Sequence, residues 1–221
     1  MTELSVLIPA RNEFLLQRTI DDLSQNIEGD TEIIAVLDGY LPDPPLNPNP
    51  RLTVIYNPEA KGQRAGTNQA AKIARGKYLM KVDAHCAFDK GFDVKMMADM
   101  QPDWTLIPMM KNLHAFDWIC PDGHRRYQGL SGPCQYKLNG TEWVYSETKH
   151  NTPLDKVCGK PTKKDVVWIV KHNPTSTTYR FDKTMHFQYW KELERRQTGD
   201  LVESLSFQGS CFMCTREKYF E

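Results

Sequence analysis

The sequence carries no net charge: Lys and Arg together number 28, and so do Asp and Glu. A field able to concentrate a polyanion is therefore missing at the scale of the whole chain, and nucleic acid is not indicated as a partner. No apolar stretch approaches the roughly 20 residues of a bilayer span, so no membrane span is expected. The opening apolar run, Leu4-Ser5-Val6-Leu7-Ile8-Pro9, follows Glu3 and is too short and wrongly flanked for an export signal. A soluble, cytoplasmic protein is the resulting expectation. Internal repeats and low-complexity tracts are also missing, which excludes solenoids and fibrous assemblies. What remains is an ordinary globular balance, 40% hydrophobic and 25% charged over 221 residues, enough for one sizeable domain with an insertion.

Six cysteines, at 86, 120, 134, 158, 211 and 214, are read as reduced thiols or metal ligands in the absence of an export signal. Cys120-Pro121-Asp122-Gly123-His124 is a tight turn presenting a thiol and an imidazole, and Gly132-Pro133-Cys134 and Cys158-Gly159 add two thiols in turn-like settings. Cys120, His124, Cys134 and Cys158 thus form a candidate Cys₃His set for a structural Zn²⁺. Their spacing is looser than paired zinc knuckles, so unrelated reduced thiols stand as the alternative. Cys86, Cys211 and Cys214 are assigned to the core. On a strand, Cys211 and Cys214 point to opposite faces, which argues against a redox pair.

Elsewhere apolar runs alternate with helical periodicities. Residues 4–9 read as a buried strand stopped by proline, and Phe14, Leu15, Ile20, Leu23 and Ile27 place a helix over 13–26. Runs at 32–37, ending on Asp38-Gly39, and at 52–56 predict two more strands around a proline-rich loop. A helix over 63–74 carries Gly66, Ala70 and Ala74 on one bare face, suited to lying close on a sheet, and Gly76 ends it. A strand over 77–82, a helix over 91–100 and a strand over 104–109 follow. The fold class is therefore α/β, with a mostly parallel sheet flanked by helices. From 111 to 164 the rhythm breaks into a polar, turn-rich stretch holding three of the cysteines, read as an inserted loop or small zinc-binding subdomain. Regular structure is expected again over 166–171, in a helix over 186–196 and in a final run over 205–215.

The strand over 77–82 delivers Asp83-Ala84-His85 at its carboxyl end, where open α/β sheets bind ligands. Two residues apart on extended chain, Asp83 and His85 share a side and can grip one cation. A divalent cation there would stabilise the charge developing on a diphosphate leaving group. One carboxylate with one imidazole suits Mn²⁺ better than Mg²⁺. By itself the pair is equally a solvated loop end. Pro9, Ala10, Arg11 and Glu13 follow the first strand and are candidates to line the same cleft, although Asn12 has helix capping as its plainer role. Asp38 ends the second strand as a base-binding carboxylate or as a turn residue, and Arg64 is a phosphate ligand or a surface arginine. His172 and His186 are candidates for a third metal ligand, with aromatic packing as the alternative for His186 beside Phe187.

Taken together, Ser5-Val6-Leu7-Ile8-Pro9-Ala10-Arg11-Asn12-Glu13, Asp38, and the stretch from Gly62 through Arg75-Gly76 to Val82-Asp83-Ala84-His85-Cys86 resemble the family 2 glycosyltransferases of GT-A fold. They are similar in particular to the polypeptide N-acetylgalactosaminyltransferases, whose metal motif is also D-x-H. Tyr179-Arg180-Phe181-Asp182 through His186-Phe187 to Trp190 is similar to that group's Phe-Asp-Trp-x-Leu-x-Phe-x-Trp segment. The stretch from Gln208 to Phe220 looks like its glycine-rich strand and Tyr-Phe. Ser210-Cys211 stand where the group has a glycine pair, and the chain stops at Glu221, ahead of the group's Trp-Gly-Gly-Glu block and third ligand. The expectation is one GT-A domain over 1–221 lacking its acceptor-side part, with 111–164 inserted. The resemblance implies a UDP-sugar donor of a hexose or N-acetylhexosamine, Mn²⁺ or Mg²⁺ at Asp83 and His85, an unknown hydroxyl acceptor, and retention of anomeric configuration. Two other classes remain open at this point. A nucleotidyltransferase would use carboxylates around Mg²⁺, which His85 argues against. A non-catalytic module would present the Cys/His insertion and the basic run over 156–164 to nucleic acid or protein.

Overall fold

The computed structural model describes residues 2–145, 157–171, 178–189, 201–206 and 209–221. The chain divides into two compact units, residues 1–111 with 173–221, and residues 112–172.

The larger unit is built on a six-stranded sheet. Strands β1 (Leu4–Ala10), β2 (Thr31–Asp38), β3 (Leu52–Asn57) and β4 (Tyr78–Val82) run parallel in the order β3-β2-β1-β4. The sheet continues through β13 (Cys211–Thr215), antiparallel to β4, to the short edge strand β5 (Thr105–Leu106). Strand periodicity sorts the side chains onto two faces. Leu4, Val6, Ile8 and Ala10, with Ile33, Ala35, Leu37, Met80, Val82, Cys211 and Met213, share a cluster with Leu16, Ile20 and Leu23 of α1 (Leu16–Asn26) and Phe92 of α3 (Phe92–Ala98). Leu7, Ile34, Val36 and Leu79 form the opposite cluster with Ala70, Ala71 and Ala74, at and just beyond the end of α2 (Gln63–Ile73). Burying each large aliphatic side chain contributes about 1.5–3 kcal/mol, so two full faces specify the layering strongly.

Two buried carboxylates tie the layers together at the amino ends of the strands. Glu32 accepts from Ser5 Oγ (2.7 Å), from the Arg75 amide (2.7 Å) and from Arg75 Nε (2.8 Å). Asp93 on α3 accepts from the amides of Glu28 (3.1 Å) and Gly29 (2.8 Å) and from Thr31 Oγ1 (2.8 Å). Gly76 does more than stop a helix. A Cβ there would sit 2.7 Å from the Ser5 amide nitrogen, so only glycine lets the chain pass this close to β1.

Some elements differ from expectation. α1 begins at Leu16 rather than at 13, because Asn12 takes a left-handed φ of 51° and Glu13 Oε1 accepts from the Leu15 amide at 3.0 Å, closing a turn first. The strand expected over 104–109 contracts to two paired residues, with Pro108 unable to continue the ladder. The helix expected over 186–196 begins instead as a strand. A hairpin joins β11 (Thr178–Phe181) to β12 (Phe187–Tyr189), turned by Asp182, whose carboxylate accepts from the amides of Thr184 and His186. Residues 190–196 lie outside the described residues, as do His172 and Gln208.

The smaller unit falls on the stretch expected over 111–164 to be an inserted loop or small subdomain, and it holds strands that were not read from the sequence. An antiparallel sheet orders β10 (Lys163–Val170), β6 (Leu113–Ile119) and β7 (Arg125–Tyr127), and β8 (Tyr136–Asn139) pairs with β9 (Glu142–Tyr145) as a hairpin. These strands carry no clean alternation. β6 buries only Ala115 and Trp118, three apart, and β10 is broken by a register shift next to Trp168 at φ 59°. Period-2 pattern, the signal by which a strand is recognised, is therefore absent. Among the described residues, no helix is long and apolar enough to cross a membrane.

Candidate active site

Four parallel strands end on the same side of the sheet, so the segments after Ala10, Asp38, Asn57 and Val82 gather at one edge. β13 arrives antiparallel, which brings its leading residues Gly209 and Ser210 to that edge too.

Asp83 leaves β4 with its side chain about a quarter exposed. Its Oδ1 accepts from Lys81 Nζ and, at 3.2 Å, from Gln63 Nε2 in the first turn of α2. Lys81 is buried, and its ammonium also donates to the carbonyls of Gly209 (2.5 Å) and Ser210 (3.4 Å). A buried ammonium is retained only where such acceptors surround it. Sequence reading passed over this lysine because its neighbours on β4 are apolar. The Ser210 carbonyl faces Lys81, and Cys211 pairs with Val82.

His85 lies two residues on, more than half exposed. Its Nδ1 is 3.0 Å from Glu13 Oε2, and this bond is the main cause raising the His85 pKa, partly opposed by burial and helped by the charges of Glu13 and Asp83. Among the described residues neither His85 Nε2 nor Asp83 Oδ2 is engaged by a hydrogen-bond partner. The turn bearing His85 is fixed from below by Thr19 of α1, fully buried, whose hydroxyl donates to the Ala84 carbonyl (2.9 Å) and accepts from the Cys86 amide (3.1 Å). Asp22 adds a bond to the Phe88 amide at 2.7 Å. Burial raises the Cys86 thiol to about 11, so it is no nucleophile.

Asp38 is buried at the end of β2, and its carboxylate accepts from the amides of Lys61 (2.7 Å) and Gly62 (2.9 Å). The Lys61 bond leads the causes that hold its pKa below the ordinary value. Asp38 thereby shapes the loop ahead of α2. Glu13 is likewise committed, to His85 and to the Leu15 amide. Pro9 and Ala10 end β1, and Arg11 is exposed just beyond it; Arg64 is exposed in the first turn of α2. A cleft of about 260 Å³ opens beside this loop, lined by Asn12, Glu13, Gln17, Tyr40, Leu41 and Pro44 among others. Tyr40 to Pro44 were not singled out from sequence, since a proline-rich loop reads as a connection. His186 stands on the β11–β12 hairpin with Nδ1 2.8 Å from Thr184 Oγ1. Cys120, His124, Cys134 and Cys158 are brought together in the smaller unit, every ligand atom within 4.8 Å of the others.

Residues 5–117 match glycosyl transferase family 2. The chain belongs to that family. Its mixed, mostly parallel sheet with helices on both faces is the GT-A arrangement. Among solved structures, this family 2 chain is similar to residues 1–349 of TarS from S. aureus, at 18% identity over 52% of this chain and 41% of that one, with a TM-score of 0.39. It is similar to the same TarS fragment in complex with UDP-GlcNAc, at 21% identity over 50% of this chain and 35% of that one, with a TM-score of 0.43. A mannosyltransferase from Pyrobaculum calidifontis, in complex with GDP-Man and Mn²⁺, matches at 20% identity over 49% of this chain and 34% of that one, with a TM-score of 0.37. The family 2 chain thus spans about two fifths or less of each of these structures. No curated protein sequence matches it significantly.

Proposed function

We propose that this protein is a nucleotide-sugar-dependent glycosyltransferase whose donor diphosphate binds with a divalent cation held by Asp83 and His85. The observation carrying this reading is the Glu13–His85 contact of 3.0 Å. Metal-binding histidines usually direct one ring nitrogen at a carboxylate, which fixes the tautomer and leaves the other nitrogen as ligand. Here Glu13 takes Nδ1, which leaves Nε2 for the cation, and Lys81 and Gln63 hold one oxygen of Asp83, which leaves Oδ2. The donor set is mixed nitrogen and oxygen, favouring Mn²⁺ over Mg²⁺. When bound, such an ion stabilises negative charge on a departing diphosphate by several kcal/mol or so.

The protein's own groups supply the rest. Thr19 and Asp22 hold the turn so that His85 stays in place without the ligand, which keeps the ordering cost low on binding. The amino end of α2, with Arg64 in its first turn, adds partial positive charge next to Gln63 and Asp83. The cleft walled by Tyr40, Leu41 and Pro44 offers apolar side chains to a nucleobase, and Pro9, Ala10 and Arg11, at and just beyond the end of β1, belong to the same proposed donor site. A uridine donor, an N-acetylhexosamine and retention of configuration follow from the motif likeness to the polypeptide N-acetylgalactosaminyltransferases, and the acceptor is a hydroxyl of unassigned class. His186 as a third ligand belongs to the same proposal.

The test is titration calorimetry with a UDP-N-acetylhexosamine and Mn²⁺. We expect His85→Ala to abolish the Mn²⁺-dependent part of donor binding; unchanged affinity would remove the assignment. Release of nucleoside diphosphate rather than pyrophosphate separates glycosyl from nucleotidyl transfer.

A further inference from the structure

The smaller unit has almost no apolar core. Among its described hydrophobic residues only Ala115, Trp118, Cys120 and Cys134 are buried, and two of those are thiols. Units of about 60 residues are marginal even with a full core, and those with less need a covalent or metal staple. Here the thiols are not paired as disulfides: Cys120 and Cys158 sulfurs are 3.9 Å apart, whereas a disulfide needs about 2.05 Å.

Their geometry matches something else. Tetrahedral Zn²⁺ with bonds of about 2.3 Å to sulfur and about 2.0–2.1 Å to nitrogen sets its ligand atoms about 3.8 Å apart for two sulfurs and about 3.6 Å for sulfur and nitrogen. The observed separations are 3.9 Å for Cys120 to Cys158, 3.5 Å for Cys120 to His124 Nδ1, and 3.6 Å for Cys134 to His124 Nδ1. Local backbone holds the thiol-bearing turns in place: the Gly123 amide donates to the Cys120 carbonyl at 2.9 Å, the Cys134 amide to the Lys160 carbonyl at 2.8 Å, and the Cys158 amide to the Tyr136 carbonyl at 2.9 Å. The His124 ring is clamped between Tyr136, stacked at 4.7 Å and 8°, and Trp143 at 5.0 Å. These rings restrain the plane of the imidazole. Three thiolates with Zn²⁺ leave one net negative charge, and Lys160, two residues beyond Cys158, is paired to Asp122 of the Cys120 turn at 2.5 Å.

We propose that Cys120, His124, Cys134 and Cys158 bind one structural Zn²⁺ and that folding of residues 112–172 depends on it. Four protein ligands leave no open position, so the ion is a staple and takes no part in chemistry. It joins three segments: the turn after β6, the strand entry at β8, and the return to β10. Thiolate ligands favour Zn²⁺ over Mn²⁺ at this set.

Elemental analysis of the full chain, purified without chelator, should find about one zinc per molecule. Cys134→Ser and Cys158→Ser should each lose it, while His85→Ala should keep it. Should the serine variants fail to fold, the wild-type protein stripped of metal and titrated with Co²⁺ should develop the visible and thiolate charge-transfer bands of a tetrahedral site. Zinc below about a tenth of stoichiometric together with no cobalt spectrum would overturn the proposal. Loss of zinc in His85→Ala would overturn it as well, by placing the ion at the other site. Failure of donor binding with zinc retained would count against the glycosyltransferase reading alone.

Discussion

Thr19 illustrates how a residue outside the motif governs it. Its hydroxyl is donor to one side of His85 and acceptor from the other, so it holds the imidazole through the backbone without touching a ligand. Thr19→Val keeps the shape but leaves the Ala84 carbonyl and Cys86 amide unpaired, a cost of about 1–3 kcal/mol. We expect a lower urea midpoint and weaker Mn²⁺-dependent donor binding in calorimetry, with both restored in Thr19→Ser. A purely structural role would lower the midpoint without changing donor affinity. Sequence alone offered no reason to choose Thr19, because a threonine on the inner face of an amphipathic helix looks like a packing residue. Asp83 and His85 drew notice for the opposite reason, as two ligand-type side chains two apart at the carboxyl end of a strand. Glu13 was read as lining a donor cleft with the nucleotide as partner; its side chain reaches His85.

At the scale of elements, the parallel strands and α2 could be read directly because buried strands are continuous aliphatic runs and a helix against a sheet shows small residues every fourth position. The smaller unit could not, since its strands are short, aromatic and half exposed. The Cys/His cluster could be picked out there while the strands flanking it could not. Gly76 shows a constraint between elements. Replacement by alanine sets a methyl 2.7 Å from the Ser5 nitrogen and 2.8 Å from the Leu4 carbonyl carbon, both backbone, so the α2–β4 connection must move off β1. Gly76→Ala should lower stability by about 1–3 kcal/mol in urea denaturation, the usual range for overpacking. A neutral result would show that the connection has slack.

For the whole molecule, Glu32 and Asp93 link stability to acid. Burial alone would raise both pKa values, but the bonds from Ser5 and Arg75 to Glu32, and from Gly29, Thr31 and Glu28 to Asp93, outweigh it and leave both depressed in the fold. Each group therefore stabilises fully above its ordinary value, 4.5 for Glu32 and 3.8 for Asp93, and that contribution is lost as pH falls through the depressed folded values. Urea midpoints should hold from neutral pH down to about pH 5 and then drop steeply, and Asp93→Asn should flatten part of that drop while costing about 1–3 kcal/mol at neutral pH. An unchanged slope in the variant would show that Asp93 is not a source of the acid sensitivity.

The acceptors for the Lys81 ammonium at Gly209 and Ser210 come from 128 and 129 residues further along the chain. During synthesis on the ribosome, β1 to β4 are all in hand long before those carbonyls emerge, so β4 waits as an unpaired border and its lysine remains hydrated. Pairing along the free side of β4 thereby waits for residues made after the whole stretch from Cys120 to Cys158.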